Sequence, residues 1–137
     1  MGSRALTLLL DTHVLLWWLL DRGDLSPRQV QTLAHEEASG AALAISAMTL
    51  WEIAKLVERG RVDLQQSPDA FMDELERSPR LAILPITPRI ALESTRLGPA
   101  FHRDPADQLI VATARVHGLG LVTADERIRR SGVVALI

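Results

Sequence analysis

Leu8-Leu9-Leu10-Asp11-Thr12-His13 is where the reading of this chain is decided, because an apolar run stops there at a carboxylate. Ala5 to Leu10 is short and almost continuously hydrophobic, as expected of a strand covered on both faces in a parallel sheet. Asp11 then stands where that strand emerges. In open α/β sheets, ligands bind in the crevice beyond the carboxyl ends of the strands. Asp is also a favoured helix N-cap, so Asp11 alone is open to either role. The choice rests on whether other acids reach equivalent positions.

Outward from that point, strands alternate with helices. His13 to Leu20 is apolar almost all round, with Trp17 and Trp18 side by side, so it predicts a helix that is buried or covered by a partner. Asp21-Arg22-Gly23-Asp24 ends it, and Ser26-Pro27 opens a helix to Glu37 with Ser as cap and Pro at the first helical position. Ser39-Gly40 turns the chain into a strand over Ala42–Ile45. Ser46 caps a helix that carries Trp51 and Glu52 and runs to Arg59, with Gly60 as its stop. Ser67-Pro68 starts a helix to Arg77. Leu81–Ile86 reads as a strand that Pro85 marks as ending or lying at an edge. Thr87-Pro88 opens a helix to Leu97, and the polar stretch Gly98–Arg103 leads to Asp104-Pro105-Ala106-Asp107. A strongly apolar helix follows through His117, closed by Gly118. Leu119–Thr123 is a strand with Asp125 at its exit. A short helix carries Arg127, Arg129 and Arg130, and Val133–Ile137 can pair as a last strand. The alternation predicts a single three-layer α/β/α domain over residues 1–137 with a mostly parallel central sheet.

The 137 residues suit one domain with a proper core, and the apolar fraction argues against wholesale disorder. The absence of cysteine excludes disulfides and thiolate metal sites. A net charge of −2 gives no global footprint for nucleic acid, although a bound cation or a local basic rim can serve a nuclease. The apolar stretch at the start is broken by Asp11 and His13, falls short of a membrane span and has no export cleavage signature. A soluble cytoplasmic protein with no membrane association is the expectation.

Four acids fall at strand exits or in the first turns that follow them: Asp11, Glu52, Asp107 and Asp125. Crowded carboxylates repel and raise one another's pKa, so such a pocket calls for a cation. Hard oxygen donors without sulfur suit Mg2+ or Mn2+. Such an ion polarises a phosphoryl oxygen and acidifies bound water, as phosphodiester hydrolysis requires. Each acid also has a plainer role. Glu52, beside Trp51, reads on its own as solvated. Asp104 reads as the cap of its helix, with Asp107 at the third helical position, where the helix dipole favours a carboxylate. Asp125 is able to cap the last short helix. Spacing alone does not choose.

Four segments stand in order: Leu8-Leu9-Leu10-Asp11-Thr12-His13-Val14-Leu15-Leu16-Trp17; Ser46-Ala47-Met48-Thr49-Leu50-Trp51-Glu52-Ile53; His102-Arg103-Asp104-Pro105-Ala106-Asp107-Gln108-Leu109-Ile110-Val111-Ala112-Thr113-Ala114; and Leu121-Val122-Thr123-Ala124-Asp125. Together they resemble PIN-domain proteins, most closely the VapC-type toxin ribonucleases of bacterial toxin–antitoxin pairs. The resemblance implies a Mg2+- or Mn2+-dependent ribonuclease with Asp11, Glu52, Asp107 and Asp125 as the acidic, metal-holding set, so that Asp11 reads as a ligand rather than a cap. Asp104 becomes auxiliary, and Thr12, Ser46 and Thr123 accompany the motifs as further auxiliary residues. It also implies RNA products with 5′-phosphate and 3′-hydroxyl ends, a cognate antitoxin laid over the first helices, and a homodimer. Gln108 departs from the pattern, where this subgroup often has Arg.

Trp17, Trp18 and Trp51 are candidates for a partner groove, with core packing expected for at least one. Arg127, Arg129 and Arg130 either hold RNA phosphate or form a solvated face. His102 reads as a surface residue. The scarcity of aromatics argues against a stacking platform for single-stranded RNA. The rival reading is a non-enzymatic module, either a PIN fold used for binding or a receiver-like phospho-acceptor. A receiver needs a lysine after a late strand, whereas the only lysine is Lys55 on an early helix. A binding-only PIN fold is expected to lack some of the acids, and all four are present.

Overall fold

The structure is a computed structural model that describes residues 6–20 and 23–137. Four strands, β1 (Leu6–Leu10), β2 (Ala42–Ser46), β3 (Leu81–Leu84) and β4 (Gly120–Val122), form an all-parallel sheet in the order β3-β2-β1-β4. The chain therefore moves outward from β1 through β2 to β3 and returns to the far side of β1. That reversal puts the topological switch point between the exits of β1 and β4, where Leu10 pairs with Val122.

Side chains of the strands alternate between two cores. Leu8, Leu10, Leu43, Ile45 and Val122 face one side, against α1 (Thr12–Leu19), α2 (Pro27–Ala38), α3 (Ala47–Glu58) and α4 (Pro68–Arg77). Leu9, Ala44 and Leu121 face the other, against α6 (Pro105–His117) and α7 (Glu126–Ser131). The short α5 (Pro88–Glu93) packs on α6. Both faces are covered, which is why β1 and β2 read as continuous apolar runs rather than alternating ones. Leu9, Leu10, Ile45 and Leu121 are wholly buried, and each such side chain contributes roughly 1.5–3 kcal/mol of transfer free energy.

Helix starts follow the local chemistry. Ser26, Ser67, Thr87 and Asp104 each cap a helix with the side chain, and each is followed by Pro in the first turn. The cap satisfies an orphan N–H, and proline lacks one where none is needed. Gly118 ends α6 at φ 66, a left-handed conformation that a residue with a Cβ adopts only under strain.

Several boundaries differ from expectation. Helix α1 begins at Thr12, and β3 stops at Leu84 before Pro85. Helix α5 ends at Glu93 rather than Leu97, because the Ser94 and Thr95 hydroxyls donate to the carbonyls of Ala91 and Leu92 in a closing turn. Val133–Ile137 does not form a strand; it meets the sheet at one bridge, Leu136 to Leu121. Strand β4 is three residues long and leaves its outer edge room for little more. Ala5 and Asp21-Arg22 lie outside the described residues. Among the described residues, no helix is long and apolar enough to cross a membrane.

Candidate active site

Asp11 leaves β1 with its N–H still in the ladder, donating to the Val122 carbonyl at 3.0 Å. It then turns the chain into α1 as that helix's N-cap, so the expectation of a ligand rather than a cap is corrected in that respect. One carboxylate oxygen accepts from the Thr12 N–H at 2.8 Å and the other from the Thr123 hydroxyl at 2.6 Å. The capping bond is to the first helical N–H only, and Asp11 also lines the cleft described below. Burial pushes the Asp11 carboxyl above its ordinary pKa, against the opposing pull of the Thr123 hydroxyl and the Thr12 N–H.

Thr123 is fully buried at the exit of β4 and links two acids. Its hydroxyl donates to Asp11 and accepts the Asp125 N–H at 3.0 Å. Its carbonyl accepts from the Gln29 amide and from the Arg129 guanidinium, each at 3.1 Å. Asp125 caps α7 through the N–H groups of Arg127 and Ile128. Burial acts to raise the Asp125 carboxyl, but the Arg127 guanidinium and those N–H donors outweigh it and hold the pKa below the ordinary value.

Glu52 is carried in the second turn of α3 and is half-buried rather than solvated. The Thr12 hydroxyl donates to it at 2.5 Å and also lies 3.1 Å from the Thr49 hydroxyl. Burial, then the nearby charges of Asp11, Asp107 and Asp104, push Glu52 up to about 7 despite the Thr12 bond. Asp107 is 8% exposed in the first turn of α6 and is pushed up to about 6, again chiefly by burial. Asp104 caps α6, as its sequence position suggests, accepting from Ala106 and Asp107.

These acids share a cleft of about 370 Å³ lined by Asp11, Glu52, Asp104, Asp107 and Asp125, with His13, Trp17, Ala124 and Arg127. Oxygens of Glu52, Asp104 and Asp107 lie within 4.8 Å of one another. The tightest grouping thus includes Asp104, while Asp11 and Asp125 line the same cleft outside that trio. Capping does not remove Asp104 from the cleft. Ser46 caps α3 by accepting the Met48 N–H and is not among the cleft-lining residues.

Two neighbours of Asp107 carry more than their sequence positions suggest. His102 is not a surface residue: its ring stacks on Phe101 at 4.4 Å between centroids and its Nε2 lies 2.7 Å from Asp107 Oδ2. The Gln108 amide holds the His102 carbonyl at 3.2 Å. No periodic pattern marks a histidine in a polar loop, and only the fold-back of Gly98–Arg103 brings it there. Arg127 reaches Asp125 at 3.3 Å and Asp107 at 3.6 Å, so it balances charge at the rim. Arg129 and Arg130 instead donate to backbone carbonyls. Of the tryptophans, Trp18 is core, Trp17 lines the cleft and Trp51 is exposed. Lys55 pairs with Glu58 on α3, an early helix rather than the exit of a late strand.

The donor set fits a hard divalent cation. It is all oxygen and three carboxylates converge, with burial first and the neighbouring acids after it raising the pKa of Glu52 and Asp107.

Fold and cleft together define a three-layer α/β protein with a carboxylate site at the switch point of a parallel sheet. The PIN domain model matches residues 8–133, and the chain belongs to the PIN-domain family, on its VapC branch. It is 37% identical to Ribonuclease VapC22 of Mycobacterium tuberculosis over 123 residues, which is 90% of each chain. FitAcB from Neisseria gonorrhoeae is similar at TM-score 0.67 and 25% identity, over 96% of each chain. VapBC2 from Rickettsia felis, solved bound to a promoter DNA fragment, matches 97% of this chain and 98% of that one at TM-score 0.71. Its 18% identity speaks to the fold alone.

Proposed function

We propose that this chain is a Mg2+- or Mn2+-dependent endoribonuclease, acting over residues 1–137 as one nuclease domain and as the toxin of a toxin–antitoxin pair. The observation that carries the reading is the convergence of Glu52, Asp104 and Asp107 within 4.8 Å, in a cleft that Asp11 and Asp125 complete. Asp11, Glu52, Asp107 and Asp125, with Asp104 beside them, are the residues that would hold the cation. The ion supplies Lewis acidity toward a phosphoryl oxygen and a water acidified toward neutral pH.

The chain's own groups set up the rest. Thr123 and Thr12 fix the carboxylates of Asp11 and Glu52 by donating to them. His102 fixes Asp107, as hydrogen-bonded second partners of metal-holding acids do. Arg127, with 56% of its side chain exposed at the rim, is placed to meet a substrate phosphate.

The antitoxin reading is supported by α1, which leaves Leu19 49% exposed. There Trp18, Leu19, Leu20, Phe71 and Leu75 give an apolar floor to a groove of about 290 Å³ that Glu37, Glu74 and Arg80 also line, a mixture that an amphipathic partner helix fills. The relative of 37% identity is named a ribonuclease, and a structural neighbour from Klebsiella pneumoniae carries the name toxin–antitoxin complex. Homodimerisation and a cytoplasmic location accompany this reading.

The test is cleavage of unstructured RNA by purified protein with Mg2+ or Mn2+, with EDTA, and as Asp11→Asn. The expected result is cleavage that EDTA abolishes and that Asp11→Asn lowers at least about a hundredfold. Undiminished cleavage by Asp11→Asn, or in EDTA, defeats the assignment. Growth arrest relieved by the product of the adjacent upstream reading frame, with co-purification, tests the toxin role.

A further inference from the structure

The groove beside the acidic cleft has a composition of its own. Trp51 is 55% exposed, more than any other large hydrophobic side chain among the described residues. It is followed at four-residue steps by Lys55 on α3 and by Arg59 at that helix's C-cap, so the three form one stripe along the helix and its end. The Lys55 ammonium sits 5.6 Å from the centre of the indole ring. The stripe lines a groove of about 340 Å³ that also takes in Met48 and Pro105, and it shares His13, Glu52 and Asp104 with the cleft. One end of this continuous surface is therefore acidic, and the other carries an aromatic ring with Arg59 and with Lys55, which a phosphate would draw from its exposed 3.0 Å pair with Glu58.

We propose that Trp51, Lys55 and Arg59 form a subsite for single-stranded RNA next to the scissile phosphate, with a base stacked on Trp51 and flanking phosphates met by Lys55 and Arg59. The inference rests on the nuclease reading and adds where the strand lies. Charge complementarity selects the occupant. A polyanion entering the cleft is repelled by Glu52 and Asp104 wherever no cation screens them, so the flanking strand is favoured along the line where Lys55 and Arg59 stand. Every base has a π face, so one exposed ring holds a base whatever the sequence. The overall scarcity of aromatics does not count against a subsite that needs one ring. The same face would also suit a protein partner, and the experiment separates the two.

Fluorescence anisotropy of a labelled, unstructured RNA of about a dozen nucleotides, in EDTA so that metal-dependent cutting is silent, compares wild type with Trp51→Ala, Trp51→Phe and Lys55→Ala. The expected result is a Kd about tenfold weaker for Trp51→Ala, largely restored in Trp51→Phe. Lys55→Ala is expected to reduce the slope of log Kd against log salt by about one. A duplex of the same sequence, whose bases are already stacked, is expected to be indifferent to Trp51→Ala. Equal affinity of wild type and Trp51→Ala for the single strand overturns the subsite. So does sedimentation in which Trp51→Ala splits a dimer, because the face is then a contact between copies. Cleavage by wild type in Mg2+ is scored separately, so a missing subsite and a missing nuclease give different results.

Discussion

Thr123 does more at the site than its size suggests, because a single buried hydroxyl orders two acids from different elements. It donates to Asp11 at the exit of β1 and accepts the N–H of Asp125 at the start of α7. Thr123→Val keeps the shape and removes both bonds. The cost expected is about 1.5–3 kcal/mol for a lost bond to a carboxylate, read by urea denaturation. Without its strongest donor the Asp11 carboxyl moves further above its ordinary pKa. Calorimetric Mn2+ affinity is then expected to fall about 10–100-fold while far-UV circular dichroism stays native. Unchanged Mn2+ binding would mean that Asp11 needs no orientation. Asp11 and Asp125 were legible in the sequence because the first directly follows an apolar strand and the second stands just past one, after Thr123 and Ala124. His102 was not, because its contact with Asp107 depends on a loop whose path no local pattern encodes.

At the scale of the element, the first turn of α6 joins two functions that sequence reasoning treats as alternatives. Asp104 caps the helix through the N–H groups of Ala106 and Asp107, yet its oxygen is also within 4.8 Å of those of Glu52 and Asp107. Asn is as good a cap as Asp, so two substitutions separate the roles. Asp104→Asn is expected to leave the melting temperature nearly unchanged and to weaken Mn2+ binding; Asp104→Ala is expected to weaken Mn2+ binding and also cost about 1 kcal/mol of stability. Identical Mn2+ affinity in wild type and Asp104→Asn would reduce the residue to a cap. Helix starts were legible for the same reason that this experiment works. Ser26, Ser67, Thr87 and Asp104 advertise a cap beside a proline, whatever the tertiary fold. The end of α5 was hidden, because Ser94 and Thr95 close the helix with their own hydroxyls, and hydroxyl residues are also tolerated inside helices. The tail after α7 reads as a strand by composition, but a partner strand of three residues leaves it one bridge.

Over the whole molecule, the alternation of apolar runs and capped helices made the parallel three-layer fold readable. Strand order was not readable, and it is the order β3-β2-β1-β4 that brings the Asp11 and Asp125 exits together. The acids so gathered act on global stability. Burial and neighbouring charge put Glu52 at about 7 and Asp107 at about 6, against ordinary values of 4.5 and 3.8. Between the ordinary and the raised values the folded protein keeps protons that the unfolded chain has released. Their stabilising effect is complete below the ordinary values and is lost as pH rises through about 6 and then about 7. Asp125 acts in the opposite sense: its lowered pKa gives stability that is present above 3.8 and lost in stronger acid. Thermal melts in EDTA are therefore expected to fall from about pH 5 to about pH 8. A divalent cation needs the ionised carboxylates, so it is expected to raise the melting temperature most near pH 8 and least near pH 5, releasing protons as it binds. Calorimetry in two buffers of different ionisation enthalpy measures that release. Equal stabilisation by Mn2+ at both ends, with no proton released, would place the cation away from Glu52 and Asp107.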